Sequence, residues 1–360
     1  MSTFRRKAVL YNRKQLPSRY PPTTQALQIM AQKKHNILLI GAGGVGTIAA
    51  LNLERGSRAD VTVVLRSNYQ KVADDGFTID SVDHGSLSGW RPSRLPTADE
   101  QRFDYIVCTT KNIPDSSTKV VDLIAPAVIP GHTVVVLVQN GLNIEKPIFE
   151  RFPQNIVLSG VSMIGSTETS HGVIKHLDPD ELLIGAFHNP NLDMEVQHAA
   201  AREFIEIYSA GGKTQCEFVP NVPFSRWRKL VYNACLNSTC AITGLDTGRL
   251  RIAGSPIKAL VRPAMEEIKL AANASGVTLP DDVAEKMMDI LEPISDFFAP
   301  SMLVDVRKGN LTEFENIVGE PLRDGTRNGV DMPTIRTLYG LLEALQWRLK
   351  EAKGLVEAEV

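Results

Sequence analysis

A mixed α/β half followed by an all-α half is the fold class the sequence predicts, and three observations carry that prediction. Residues 36–40 form an apolar run that enters the glycine-rich loop Gly41-Ala42-Gly43-Gly44-Val45-Gly46. From there to residue 211, short β-branched runs alternate with helical stretches, the pattern of a mainly parallel sheet with crossover connections. Beyond residue 220 strand-like runs cease and the hydrophobic period lengthens from two to about 3.6 residues, which sets apart a separate helical domain.

The glycine loop justifies the first unit. A strand, the loop, a helix to Arg55 and a second β-branched run over residues 61–65 follow one another. That is the context in which a GxGxxG pattern binds a dinucleotide, in a Rossmann-type domain. Gly41 lets the chain turn off the strand, Gly43 lets backbone N–H groups approach a pyrophosphate, and Gly46 lets helix and strand pack closely. Gly44 and Val45 open the helix, whose unpaired N–H groups and dipole favour phosphate. Near the end of the second strand, about 20 residues on, an NAD site normally carries Asp or Glu for the ribose 2′-OH. Arg66 stands there instead, and Asp60 lies at the opposite end of the strand. A guanidinium pairs with a 2′-phosphate that a carboxylate would repel, so the expected cofactor is NADP(H). The alternative for Arg66 is a solvated loop cation.

The elements that follow repeat the alternation. A short helix over residues 68–73 leads to a hairpin through Asp83-His84-Gly85. A buried strand over residues 103–111 ends on Thr110 and Lys111, and a helix near residues 116–124 follows. An almost unbroken valine run over residues 133–138 then delivers Gln139-Asn140-Gly141. Ligands of open α/β sheets bind outside the carboxyl ends of the strands, so Lys111 and Asn140 are expected to line the cofactor site. The bland readings are a solvated lysine and an Asn-Gly turn. Strands over residues 156–164, 172–176 and 181–186 are expected to close the sheet with an antiparallel edge. Helices are predicted near residues 224–242, 255–275, 281–291, 301–307, 313–318 and 333–350. Ser255 before Pro256 suits a helix start, and Gly276 suits its stop. The division expected is a basic extension over residues 1–34, a dinucleotide-binding domain over 35–219, a helical substrate domain over 220–353 and a tail over 354–360.

Composition narrows the function classes. The chain has 360 residues, 43% hydrophobic content and a formal charge of -2, which gives no electrostatic case for nucleic acid. Asp122, Pro126, Pro130 and His132 interrupt the most apolar region, so no run reaches the ~20 residues of a membrane span. Cys108, Cys216, Cys235 and Cys240 include no CxxC, and the seven histidines form no ligand cluster; no metal site is expected. Neither a GxSxG nucleophile nor a GxxxxGK phosphate loop occurs. Before Lys34 the chain is basic and acid-free, with Glu54 the first acidic residue. A mitochondrial transit peptide has that character, but Pro17, Pro21 and Pro22 spoil an amphipathic helix and a disordered tail reads equally well. The expected compartment is cytoplasmic, with the mitochondrion as the alternative. Apolar helices in the second half could serve a core or the seam of a homodimer.

On the helix after Phe224, Lys229, Asn233 and Asn237 recur every four residues, a step that advances ~40° per repeat and keeps all three on one face. A cation and two amides on a mostly apolar helix are costly if merely buried. Turned towards the domain junction, they can instead meet a substrate; the alternative is a polar outer face.

Trp227-Arg228-Lys229-Leu230 with Asn233 and Asn237 resembles the corresponding helix of the ketopantoate reductases, NADPH-dependent enzymes of pantothenate and coenzyme A synthesis. Cys108-Thr109-Thr110-Lys111, Gln139-Asn140-Gly141, Ser301-Met302-Leu303-Val304-Asp305, Gly309-Asn310-Leu311-Thr312-Glu313 and Gly329-Val330-Asp331-Met332-Pro333 resemble that family's other blocks in the same order. The resemblance implies hydride transfer from NADPH to the ketone of 2-dehydropantoate, with Lys229 as general acid and Glu313 as the carboxylate that binds substrate and positions the lysine. It implies that Asn233 and Asn237 hold the substrate's hydroxyl and carbonyl, that Ser301 holds its carboxylate, and that Asn140 and Lys111 border the cofactor. Ser238-Thr239-Cys240, Glu315 and Val318 depart from the family pattern, and are expected near the substrate where they would change which acid fits. A reductase of another 2-oxo acid or ketone, and a non-catalytic NADPH sensor, are the alternative functions.

Overall fold

The computed structural model describes residues 34–92, 102–289 and 297–358. The expected basic extension, apart from Lys34, and the last two residues of the helix expected to end at 291 lie outside them. Lys34 pairs with Asp60 at 3.0 Å.

The main sheet has seven strands. In chain order they are β1 (His35–Ile40), β2 (Ala59–Val64), β5 (Tyr105–Cys108), β6 (Val134–Leu137), β7 (Val157–Ser162), β10 (Glu181–Ala186) and β11 (Gln215–Phe218). In space the order is β11-β10-β7-β6-β5-β1-β2. The five strands from β2 to β7 are parallel, β10 is antiparallel to β7, and β11 runs parallel to β10. Parallel strands covered on both faces need apolar residues at every position, and all four residues of both β5 and β6 are buried. Ile37 and Leu39 pack on one side with α1 (Gly44–Arg55) and α5 (Met194–Ser209). Leu38 and Ile40 pack on the other with α3 (Val120–Ile124) and α4 (Lys146–Arg151).

The antiparallel edge is present, but its membership differs from expectation. The run around Ile174 is β9 (Val173–Asp178), and it belongs to a second sheet of order β4-β3-β9-β8. β9 lies between β3 (Phe77–Ser81) and β8 (Gly165–Ser170), and β4 (Gly85–Trp90) pairs with β3 at the edge. β9 buries only Ile174 and His176 and β8 buries nothing, so neither could occupy a doubly covered sheet. A short helix, α2 (Tyr69–Asp75), leads into β3.

The second half is helical. α6 (Val222–Tyr232) runs through a π turn over Asn233–Asn237 into α7 (Ser238–Thr243). Then come α8 (Thr247–Ile252), a π turn over Ile257–Val261 leading to α9 (Arg262–Ala274), α10 (Val283–Asp289) and α11 (Ser301–Arg307). A π turn over Glu315–Gly319 opens α12 (Glu320–Arg327), and α13 (Pro333–Glu351) completes the half. α8 was not anticipated, and the helix expected to stop at 318 continues to Arg327, passing through the π turn and Pro321 without a break. Among the described residues no helix is long and apolar enough to cross a membrane.

The first crossover depends on Gly46. A Cβ there would sit 2.0 Å from the Gly41 carbonyl oxygen and 2.5 Å from Thr109 Oγ1. Gly46→Ala must therefore push α1 away from β1, with an expected loss of about 1–3 kcal/mol of stability in urea unfolding. An unchanged midpoint would mean that the helix has room to retreat.

Candidate active site

The parallel strands β1, β5, β6 and β7 deliver their carboxyl ends to one edge, and the site is built there. Ile40 is in register with Val64 and with Cys108, and Cys108 with Leu137. The residues that follow each strand therefore stand side by side: the glycine loop after β1, Arg66 after β2, Lys111 after β5 and Asn140 after β6.

The glycine loop has the form expected. Gly41 has φ +107°, and a Cβ there would lie 2.6 Å from the Thr110 amide nitrogen. Thr109 Oγ1 donates to the Gly41 carbonyl at 2.6 Å and ties the loop to β5. Gly43 caps α1 without a side-chain bond, and no acidic residue occupies the first turn. A Cβ on Gly43 would meet nothing within 4 Å, so the helix N-terminus faces open space. Gly44 differs, because a Cβ there would lie 2.5 Å from Ser166 in β8; its lack of a side chain serves packing on the small sheet. Arg66 is exposed two residues beyond β2.

Lys229, Asn140 and Glu313 come together although they are far apart in sequence. Lys229 Nζ donates to Asn140 Oδ1 at 2.8 Å and to the Ser162 carbonyl at the end of β7 at 2.6 Å. Asn140 Nδ2 donates to Glu313 Oε2 at 3.3 Å. Among the described residues no ion pair joins Lys229 to Glu313; the Asn140 amide bridges them. Glu313, 3% exposed, also accepts from the Asn112 amide at 3.0 Å and from Lys111 Nζ at 3.3 Å. Lys111 reaches Asp305 on α11 as well, at 2.8 Å.

These neighbours set the proton affinities. Burial pushes the Lys229 ammonium down to about 8, the nearby charges of Arg226 and Lys111 act the same way, and Glu313 opposes them. Lys111 goes the other way: burial disfavours its charge, but the carboxylates of Glu313 and Asp305 outweigh that and raise its pKa.

The polar row on α6 is real, and it is reshaped by the π turn. Asn233 and Asn237 are both buried, and Asn237 Nδ2 donates to Asn233 Oδ1 at 3.2 Å. Asn233 lines one small pocket with Lys229, Asn140 and Arg226. Asn237 Oδ1 is buried with no hydrogen-bond partner. Ser301 opens α11 and is exposed; the residue of that helix that reaches the cluster is Asp305, through Lys111.

Four of the five departures from the family pattern pack or bond within the helical half. Val318 and Cys240 are fully buried in the helical core. Glu315 is held by Tyr339 and Arg323, each at 2.8 Å, and Thr239 Oγ1 bonds the Cys235 carbonyl. Ser238, which directly follows Asn237, is buried and its Oγ has no hydrogen-bond partner.

Sequence reasoning missed Arg226, which is 4% exposed. Its guanidinium donates to the carbonyls of Gln139 at 3.1 Å and Gly141 at 2.7 Å, and to Ser159 Oγ at 2.9 Å. The available signal was its position three residues before Lys229, a second cation on the same apolar helix. Asn316 was missed too; its amide bonds the Leu142 carbonyl at 3.0 Å.

Comparison with known proteins identifies the family. The family model described as ketopantoate reductase PanE/ApbA matches residues 37–189, and the model for the C-terminal part of that protein matches residues 221–346. The chain belongs to the ketopantoate reductase family. That is a family of oxidoreductases. An uncharacterized protein of Saccharomyces cerevisiae is 41% identical over 347 residues, covering 89% of this chain and 96% of the relative. A 2-dehydropantoate 2-reductase of Nostoc is 26% identical over 91% of this chain and 100% of its own length. The crystal structure of 2-dehydropantoate 2-reductase from Methylococcus capsulatus superposes with a TM-score of 0.74 at 30% identity, covering 87% of this chain and 97% of that one.

The bridge can be tested apart from turnover. Asn140→Leu leaves the buried ends of Lys229 and Glu313 without their shared partner, and hydrogen bonds to charged groups contribute roughly 1.5–3 kcal/mol each. Chemical denaturation should show a loss of that order, and a variant as stable as the native protein would mean that water replaces the amide at no cost.

Proposed function

We propose that this protein reduces 2-dehydropantoate to (R)-pantoate with NADPH. The observation that carries the reading is the Lys229–Asn140–Glu313 chain at the carboxyl ends of β6 and β7, continuous through Lys111 and Thr110 with the glycine loop. In this reading residues 35–219 bind the cofactor and residues 220–353 bind the substrate.

The residues present fit a dinucleotide. The uncapped start of α1, the open space over Gly43 and the acid-free first turn suit a pyrophosphate. Gly41, Gly43, Gly44, Val45 and Gly46 would hold it, and Arg66 would pair with a 2′-phosphate. Bound there, the reduced nicotinamide supplies a hydride to the ketone carbon.

Negative charge then grows on the carbonyl oxygen, where the Lys229 ammonium stabilises it by hydrogen bonding and delivers the proton. Glu313 and Asn140 keep that ammonium aimed. The unpartnered Oδ1 of Asn237 is free to accept from a substrate hydroxyl, with Asn233 on the carbonyl and Ser301 on the carboxylate.

Steady-state assays with 2-dehydropantoate, followed by NADPH absorbance, test the proposal. Lys229→Ala is expected to lower kcat by roughly 10²–10⁴-fold; turnover at the native rate would remove the mechanism. The acid must be protonated to act, so kcat/KM should fall as pH rises through about 8. A profile flat to pH 10 would assign the proton to another group. Arg66→Ala should weaken NADPH binding far more than NADH binding in a titration, and equal losses would contradict a 2′-phosphate contact.

A further inference from the structure

We infer that Arg226 is a positioning residue for this reaction: its guanidinium grips the peptide groups on both sides of Asn140 and so fixes the amide that joins Lys229 to Glu313. The inference rests on the reading of Lys229 as the acid.

The geometry is specific to that task. Nη1 donates to the carbonyls of Gln139 and Gly141, the two residues that flank Asn140, at 3.1 and 2.7 Å. Nη2 makes a longer contact, 3.4 Å, with the carbonyl of Leu137, the last residue of β6. Nε donates to Ser159 Oγ on β7 at 2.9 Å, and the guanidinium lies over the Phe187 ring at 4.8 Å. A planar fork of donors can hold several carbonyls in fixed relation, which an ammonium cannot. Arg226 and Lys229 share α6, one turn apart. The clamp on the Asn140 loop and the acid that Asn140 contacts are thus held in one rigid spacing.

The same placement has an electrostatic consequence. All four acceptors of Arg226 are neutral, so its charge is not cancelled at contact distance. Glu145 is the acidic neighbour that favours its protonated form, and burial still lowers it to about 10. The charged groups that act on Lys229 are Arg226, Glu313 and Lys111. Removing the Arg226 charge leaves Lys229 with Glu313 opposed by Lys111 alone, and its proton affinity rises.

The test uses Arg226→Met, which keeps apolar bulk over Phe187, and Arg226→Lys, which keeps charge and loses the fork. One measurement needs no substrate: competitive acetylation of the full-length protein with acetic anhydride, with the Lys229 peptide followed by mass spectrometry across pH. The native midpoint should be near 8, moving up towards the ordinary lysine value in Arg226→Met and staying close to native in Arg226→Lys. The second measurement is steady-state kinetics with 2-dehydropantoate and NADPH. Both variants should lose kcat, by roughly 10²-fold where the Asn140 loop is misplaced, with KM for NADPH little changed. A merely structural arginine would move neither the acetylation midpoint nor the balance between kcat and KM.

A folded Arg226→Met protein with native kcat and an unmoved midpoint would overturn the inference. If that variant does not fold by circular dichroism, native kcat in Arg226→Lys overturns it instead. If the native protein turns over no 2-oxo acid, the functional reading fails separately; the midpoint shift then still supports the hold of Arg226 on Lys229, and an unmoved midpoint still refutes it.

Discussion

Where strand β6 ends, its backbone loses the ladder that satisfied it, and the next few peptide groups take their partners from the helical half. The carbonyls of Leu137, Gln139 and Gly141 accept from Arg226. The Leu142 amide donates to the Asn316 carbonyl at 2.8 Å, and the Leu142 carbonyl accepts from the Asn316 side chain. Buried backbone groups left unpaired cost as much as a lost hydrogen bond. The two halves are therefore joined at the carboxyl edge of the sheet, the place where ligands of open α/β sheets bind. Asn140 lies inside that joint, and through it Lys229 and Glu313 are set.

Much of the sheet half could be read directly from the chain. The runs that became β1, β5 and β6 are apolar at nearly every position because both faces are covered, and that pattern is visible without coordinates. Lys111 and Asn140 followed from their places at strand ends. The small sheet was harder, since β8 reads Gly-Ser-Thr-Glu-Thr-Ser and carries no apolar stripe to mark it. On α6 the four-residue spacing exposed the polar row, but not the π turn under Asn233 and Asn237, because no local preference announces such a turn. The meeting of Lys229 with Glu313 was legible only by family resemblance; two helical segments 84 residues apart have no periodicity in common. Arg226 remained hidden for a related reason. A buried arginine looks like a surface one until the carbonyls it serves are located in space.

The seam between the halves carries several buried or part-buried polar contacts. Leu142 joins the helical core and Val222 a core of the sheet half, and the polar contacts across the seam include Lys111 with Glu313 and Asp305, Lys350 with Asp115 at 2.7 Å, and Asn143 with Glu320 and Asp324. Apolar surfaces can slide over one another at little cost, whereas hydrogen bonds weaken steeply away from their preferred geometry. A seam of this kind adds little net stability, since desolvating charges offsets most of the attraction. What it supplies is register, and a site assembled from the ends of four strands and the faces of three helical segments needs register more than strength.

Charge completes the logic of the site. Three cations, Lys111, Arg226 and Lys229, stand with two carboxylates, Glu313 and Asp305. Lys111 is committed to both carboxylates, and its raised proton affinity reflects that pairing. Arg226 is spent on neutral carbonyls, and Lys229 on an amide and a carbonyl. The excess positive charge therefore falls on the Lys229 side of the cluster, and burial there limits screening by solvent. In the proposed reaction an anionic substrate would relieve that excess on binding, and an oxygen gaining negative charge would relieve it further. Burial lowers the proton affinity of Lys229 first and the charge of Arg226 lowers it further, and in the proposed reaction an oxo acid would meet that same excess of positive charge.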